Sequence, residues 1–243
     1  ETRSNSQVAR EIQLALPCEL SCEAKIALVS DYVNIQFVSR GMVADVAWHD
    51  LAEKNGHVHV MLTTREIDGC GFDRKVRAWN DKALLVTWRR EWALIQNRYL
   101  AAEDLDIRVD DRSHADRGIT LIPLHLGRRA YEAHAEGLAV ELDLLDAYEA
   151  DKAHNAALLA AQPAVVAAVL TQTQSTFTHQ DVAYFLNRYI DDRECFQGVF
   201  MAALQDPSVV RVGVNRCGVD RYSTIEMLKL ENRLFQDALS LQL

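Results

Sequence analysis

The sequence predicts an α+β protein: an antiparallel sheet with helices packed on it, then a linking helix and a small, mostly helical, winged-helix-like domain. Three observations carry this. Residues 10–16, 42–49 and 57–64 are short runs of alternating or β-branched residues, the pattern of half-buried strands. Apolar residues recur every three or four positions over 21–37 and 80–103, the spacing of helices with one buried face. Beyond residue 127 the composition shifts toward Ala, Glu and Leu, and the remainder reads as helices, a hairpin and a last helix.

In the first strand Ile12, Leu14 and Leu16 alternate with Glu11, Gln13 and Ala15, and Pro17 stops the run. Ser21 is placed to cap the next helix, whose apolar positions are Ile26, Val29, Val33 and Phe37. Gly41 breaks that pattern. A polar loop over 50–56 joins the second and third strands and has a length that suits a hairpin. The helix over 80–103 is the clearest periodic segment, with Leu84, Leu85, Trp88, Trp92, Ile95 and Tyr99 as its apolar positions. Residues 105–109 read as a short strand, and 111–127, containing Gly118 and Pro123, as irregular chain.

Residues 128–161 read as a helix joining two bodies, ended or kinked by Pro163. Thr178 with Asp181 three positions on is a capping-box start for a helix reaching Tyr189. Residues 194–204 and 224–241 have helical spacing, and 209–222 reads as two strands around Asn215, Arg216, Cys217 and Gly218. The domain limits expected are 1–127, a helical linker over 128–162, and 163–243.

A chain of 243 residues with 49% hydrophobic content is long enough to bury a core. Its formal charge of −9 argues against a sequence-blind nucleic-acid coat, because such binding rests on neutralised phosphates. The charge is uneven: residues 1–127 hold 16 Lys/Arg against 19 Asp/Glu, and 128–243 hold 10 against 16. Residues 65–98 hold eight bases against five acids, which gives a local positive surface or a solvated helix face. No run of apolar residues is long enough for a bilayer, so no membrane insertion is expected. The chain starts at Glu1 without a signal-peptide pattern and reads as a fragment. Cys18, Cys22, Cys70, Cys195 and Cys217 are odd in number and contain no C-x-x-C pair, so a cytoplasmic location is the expectation. No G-x-x-x-x-G-K-[ST] motif occurs, so these residues hold no P-loop motor.

The chemistry centres on His49 and on the run from Asn55 through His57 and His59 to Thr64. On a strand, residues two apart share a face, so His57 and His59 project together while Val58, Val60 and Leu62 enter the core. If residues 42–49 pair antiparallel with this strand, His49 lies beside its start and three imidazoles face one point. Three nitrogen ligands with positions left for water or phosphate are what a catalytic metal site needs. The alternative is a pair of ordinary surface histidines. Imidazole donors suit zinc, copper, iron or nickel, whereas phosphate chemistry often uses magnesium or manganese, so the spacing leaves the metal open.

These histidines sit within a longer pattern: His49-Asp50, Asn55-Gly56-His57-Val58-His59, Leu62-Thr63-Thr64-Arg65, Gly71-Phe72, Trp79-Asn80, Trp88-Arg89, Trp92 and Asn97. It continues through Asp110-Asp111-Arg112-Ser113 and Gly118-Ile119 to Pro123-Leu124-His125-Leu126-Gly127. In order and spacing over roughly residues 1–127, the pattern resembles the MobA/MobL relaxase family. Within it, the TraA-like conjugative transfer relaxases are the nearest likeness, because Ser175-Thr176-Phe177-Thr178 and Arg221-Tyr222-Ser223-Thr224 with Glu226-Met227-Leu228 resemble their segment between relaxase and motor.

The resemblance implies an HUH-type sheet and an endonuclease that nicks single-stranded DNA at a plasmid transfer origin. A tyrosine attacks the phosphodiester and keeps the 5′ end as a phosphotyrosine, aided by a divalent metal (Mg, Mn or Zn) on His49, His57 and His59. Glu11 is the candidate supporting carboxylate that orients a ligand or the nucleophile, the alternative being a solvent-facing strand glutamate. Arg65 and Arg112 are candidate DNA contacts; the alternative is a solvated face for the stretch that Arg65 opens, and a buried salt bridge or turn cap for Arg112. The implied partners are origin DNA, a C-terminal helicase domain and other transfer proteins. Gly56 replaces a family proline, which loosens the entry to the ligand strand. The family's tyrosine falls upstream of Glu1, and Tyr32 and Tyr99 read as core residues, so this fragment alone is expected to bind metal without nicking. Two other readings stand beside this one: a non-catalytic DNA-binding or interaction module of a transfer protein, and a metal-dependent nuclease using water.

Overall fold

The alternation that begins at Ala9 makes β1 (Ala9–Ala15), which pairs antiparallel with β3 (His57–Thr63), and β3 pairs on its other side with β2 (Ala44–His49). The sheet order is β1-β3-β2. The computed structural model describes residues 7–53, 55–124, 126, 142–215 and 217–241. Directly paired residues share a face of a sheet, so Ile12, Leu14, Val46, Trp48, Val58, Val60 and Leu62 form the inner face. Glu11, Gln13, Asp45, Ala47, His49, His57 and His59 fall on the other.

Helix α1 (Cys22–Gln36) starts where Ser21 Oγ accepts the Ala24 N–H at 3.1 Å, as an N-cap should. Its buried stripe is Lys25, Leu28, Val29, Tyr32, Val33 and Gln36. Ile26, expected on that stripe, is instead 44% exposed, because the inward side is offset by one residue from the spacing read in the sequence. Helix α2 (Lys82–Ala102) is capped by Asp81, whose carboxylate accepts the Ala83 N–H at 2.9 Å. Both helices contribute to one apolar core with the inner sheet face. Its centre is aromatic: Tyr32 meets Phe37 and Trp92 edge-on at 5.4 and 4.9 Å between ring centres, and Phe37 meets Trp88 at 5.2 Å. Edge-to-face contacts of this kind add about 0.5–1.5 kcal/mol each beyond simple burial.

Two local features depart from the sequence reading. A hairpin of β4 (Arg65–Asp68) and β5 (Gly71–Lys75) was not anticipated. Its apolar residues Ile67 and Phe72 are 43% and 66% exposed, so no buried face marks it in the sequence. Residues 105–109 form no strand. The Asn97 side chain takes the place of a neighbouring strand, donating to the Val109 carbonyl at 2.9 Å and accepting its N–H at 2.8 Å.

The chain divides into two compact units, Glu1–Asp111 and Arg112–Leu243. The first boundary falls before residue 127, the limit expected from the sequence: Ile119 and Leu121 are buried in the core of the second unit. That core also holds Leu159, Val166, Phe177, Val182, Leu186 and Val199. Here α3 (Leu142–Ala161) and α4 (Ala164–Leu170) meet at 107°, with Pro163 at the break. The part of the expected linker before residue 142 lies outside the described residues. Helix α5 (His179–Leu186) opens with a complete capping box between Thr178 and Asp181 and stops short of Tyr189. Helix α6 (Arg193–Leu204), the hairpin of β6 (Val209–Val214) and β7 (Asp220–Thr224), and α7 (Ile225–Ser240) follow in the expected order. No single helix among the described residues is long and apolar enough to cross a membrane.

Candidate metal centre

The register of the sheet builds the site. His49 is paired directly with His57, and Ala47 and Gln13 flank His59 on its two sides. Ring centres of His49, His57 and His59 form a triangle with edges of 5.2, 4.9 and 5.3 Å. An ion about 2.1 Å from one nitrogen of each of three imidazoles, at roughly tetrahedral angles, sets the ring centres about 5 Å apart. The triangle therefore has the size of a three-histidine centre.

The second nitrogen of two rings is already engaged. His57 Nδ1 lies 2.9 Å from the Asn55 carbonyl oxygen, and His59 Nδ1 is hydrogen-bonded to the Glu11 carboxylate. Both oxygens only accept, so in the neutral rings Nδ1 carries the hydrogen and Nε2 presents its lone pair. Metal-binding histidines are commonly oriented by such partners. The third ring is less prepared. His49 lies at 13° to His57, nearly parallel, and among the described residues no group of three or more His, Cys, Asp or Glu side chains has its donors gathered at one point. Ring spacing and the two engaged Nδ1 atoms fit a metal; completing the set requires His49 to turn. His49 is exposed, so that rotation meets little packing, whereas His57 is 6% exposed and held.

The connection from β2 to β3 is tightly tied. Asp50 takes a left-handed backbone, φ 50°, immediately after His49. Its carbonyl accepts the Glu53 N–H at 2.8 Å, the Gly56 N–H donates to Glu53 at 3.3 Å, and the Gly56 carbonyl receives the Leu16 N–H at 2.9 Å. A Cβ on Gly56 would stand 3.1 Å from the Asp50 carbonyl oxygen. A proline would also remove the N–H, so the bonds within this loop, rather than a fixed ring, organise the entry to β3. Lys25, 2% exposed, donates from Nζ to the Leu51 carbonyl at 2.9 Å and clamps the loop from beneath. Sequence reasoning missed Lys25. Its place on the stripe of Leu28, Val29 and Tyr32 was the available sign, since a lysine on an apolar helix face needs a partner.

The remaining candidates divide. Glu11 is beside His59, 63% exposed at its side chain. Arg65 spends a guanidinium bond on the Asp73 carbonyl across its own hairpin, at 2.8 Å. Arg112 is an exposed residue that opens the second unit. Ser113 accepts the Asp116 N–H at 3.2 Å and caps a turn. His125 lies outside the described residues. Several residues of the sequence pattern have structural tasks: Arg10 donates to the Trp79 carbonyl and the Asn80 side chain and covers the Trp88 ring at 5.4 Å. Trp88 itself is 4% exposed.

Neither core tyrosine is a prepared nucleophile. The Tyr32 hydroxyl donates to the Trp88 carbonyl at 2.9 Å, and burial pushes its phenol well above the ordinary range. Tyr99 donates to Asp31 at 2.7 Å; desolvation first, and then that carboxylate, push it up to about 12.

A profile of the MobA/MobL family matches residues 1–135. The probable conjugal transfer protein TraA of Sinorhizobium fredii (strain NBRC 101917 / NGR234) is 36% identical over an alignment covering 95% of this chain and 24% of that protein. The conjugal transfer protein TraA of Agrobacterium fabrum (strain C58 / ATCC 33970) is 32% identical, covering 98% and 25%. Mobilization protein A of Escherichia coli is 28% identical over 57% of this chain and 22% of that protein. The chain thus spans about a quarter of the length of these relatives. A solved structure described as "Molecular Basis of Vancomycin Resistance Transfer in Staphylococcus aureus" is 33% identical, with 46% of this chain and 61% of that chain covered and a TM-score of 0.44. With the profile extending over more than half of its residues, the chain belongs to the MobA/MobL family.

Proposed function

We propose that this chain carries the metal-binding part of a DNA relaxase for conjugative transfer, which nicks one strand of single-stranded DNA at a transfer origin. The observation that carries the reading is the register that sets His49, His57 and His59 in one triangle, with Asn55 and Glu11 holding two of the rings. Family membership and similarity to conjugal transfer proteins support it.

On this reading His49, His57 and His59 would hold a divalent cation, with Glu11 and the Asn55 carbonyl engaging Nδ1 of His59 and His57 and leaving Nε2 of those two rings as the donor. When bound, the cation polarises the phosphoryl oxygens and stabilises the charge that grows on them as the bond breaks. The β2–β3 loop fixes the distance between His49 and His57, and the alanines at 15 and 47 leave the space beside the rings low. Tyr32 and Tyr99 stay protonated hydrogen-bond donors, so neither serves as the nucleophilic tyrosine that the family resemblance implies.

Calorimetric titration of the chain with Mn(II) and Zn(II), beside the variant His49→Ala, His57→Ala, His59→Ala, tests the site. Stoichiometric binding that disappears in the folded variant is expected. Equal binding by both proteins would remove the metal centre and favour a non-catalytic interaction module. Metal-dependent cleavage by this chain alone, releasing a free 5′ phosphate, would favour a nuclease that uses water.

A further inference from the structure

The second unit contains a cavity of about 280 Å³, far from acidic despite the surplus of acids over residues 128–243. Two arginines and a histidine line it, each fixed by a neighbour. Arg117 donates from Nε to the Gln172 side chain at 3.1 Å, and its carbonyl receives the Gln172 amide at 3.3 Å. Arg188 lies over the ring of Tyr189 at 5.7 Å, and His114 Nδ1 sits 3.0 Å from the Leu121 carbonyl oxygen. The acid on the wall, Asp181, is committed to the start of its own helix, where it accepts the Thr178 N–H at 2.7 Å and the Thr178 hydroxyl at 2.8 Å.

At the rim stands Tyr184, 73% exposed, four residues before Arg188 and on the same side of the chain. The neighbouring rings Phe177, Phe185 and Tyr189 are by contrast 1%, 7% and 3% exposed. An exposed ring beside fixed guanidinium groups matches one ligand chemistry well. Bases of any identity stack on aromatic rings, and arginines hold the phosphates on either side. The apolar floor, from Ile119, Leu170 and Phe185, suits the flat face of a base or the sugar.

We propose that this cavity binds one nucleotide of single-stranded DNA, with its base on Tyr184 and its phosphate between Arg117 and Arg188. The second unit is then a second grip on the strand, separate from the histidine centre. The proposal rests on the reading of the chain as a protein that handles single-stranded DNA. The cavity provides for contact with the backbone and with a ring face, so the grip is indifferent to sequence.

Fluorescence anisotropy of a labelled oligo-dT with the full chain, at low salt, tests this with Tyr184→Ala, Arg188→Ala and, as a control, Lys229→Ala, which removes an exposed cation of α7 that does not line the cavity. Tyr184 and Arg188 are exposed, so their loss leaves the fold intact. Each pocket variant is expected to weaken binding by about 10-fold, Lys229→Ala by far less, and a bromodeoxyuridine oligonucleotide is expected to crosslink at Tyr184. Unchanged binding in the pocket variants, an equal loss in Lys229→Ala, or no oligo-dT binding at all would overturn the proposal. So would displacement of the oligonucleotide by an equal concentration of inorganic phosphate, which would mark a plain anion site. Because Mn(II) and Zn(II) titration reads the histidines independently, failure here leaves the metal reading standing, and failure of the metal titration leaves this one.

Discussion

His59 and Glu11 belong to different strands and are 48 positions apart in the sequence, yet they share one hydrogen bond. The contact is diagonal: Gln13, not Glu11, is paired directly with His59. A carboxylate in that place orients the ring and fixes which nitrogen faces an ion. Glu11→Gln is therefore expected to weaken Zn(II) binding about 10- to 100-fold. The same change should shift unfolding free energy by no more than about 0.5 kcal/mol, as for other exposed positions. Titration calorimetry and urea unfolding of the same preparation separate the two. Full Zn(II) affinity in Glu11→Gln would make Glu11 an ordinary solvent-facing strand residue. At this scale the histidine pair was legible because a strand has a period of two. The contacts of Lys25 with Leu51 and of His57 with Asn55 were not, because each runs to a backbone carbonyl of a loop, which leaves no pattern in side-chain identity.

Among the elements, two asparagines perform the same task in different units. Asn97 satisfies both backbone groups of Val109, and Asn155 those of Ile122, accepting the N–H at 2.8 Å and donating to the carbonyl at 2.8 Å. Each replaces a neighbouring strand with a single amide. The segment between them thus begins fastened to the first unit and ends fastened to the second. Asn155 is fully buried, so Asn155→Ala leaves two backbone groups without partners and is expected to destabilise the second unit by about 2–4 kcal/mol. Thermal unfolding followed by far-ultraviolet circular dichroism checks this, and a loss below about 1 kcal/mol would mean that water replaces the amide. This arrangement also explains where the sequence misled. Residues 105–109 have the composition of a strand but form none, and the backbone groups of Val109 are met by one side chain on a helix. The long helices and the sheet were legible because their periodicity reflects a continuous buried face; the β4–β5 hairpin buries none.

At the scale of the whole molecule, two separate cores divide the chain, and the family pattern runs across that division, since the profile reaches residue 135 while the first unit ends at Asp111. A motif read along a sequence follows ancestry; a core follows burial. Ile119 and Leu121 could be matched to the pattern or to the fold, and only the packing shows that they belong to the second core.

The aromatic core of the first unit has a spectroscopic consequence. All four tryptophans, Trp48, Trp79, Trp88 and Trp92, lie before residue 112. Their emission is an intrinsic label of the unit that carries the histidines, and the second unit is dark in that channel. In a denaturant titration, tryptophan emission is expected to follow the first unit alone. At a Zn(II) concentration about 100 times Kd, that transition should gain about 2.7 kcal/mol. Emission that ignores Zn(II), beside a calorimetric signal that does not, would place the ion in the half of the protein that does not glow.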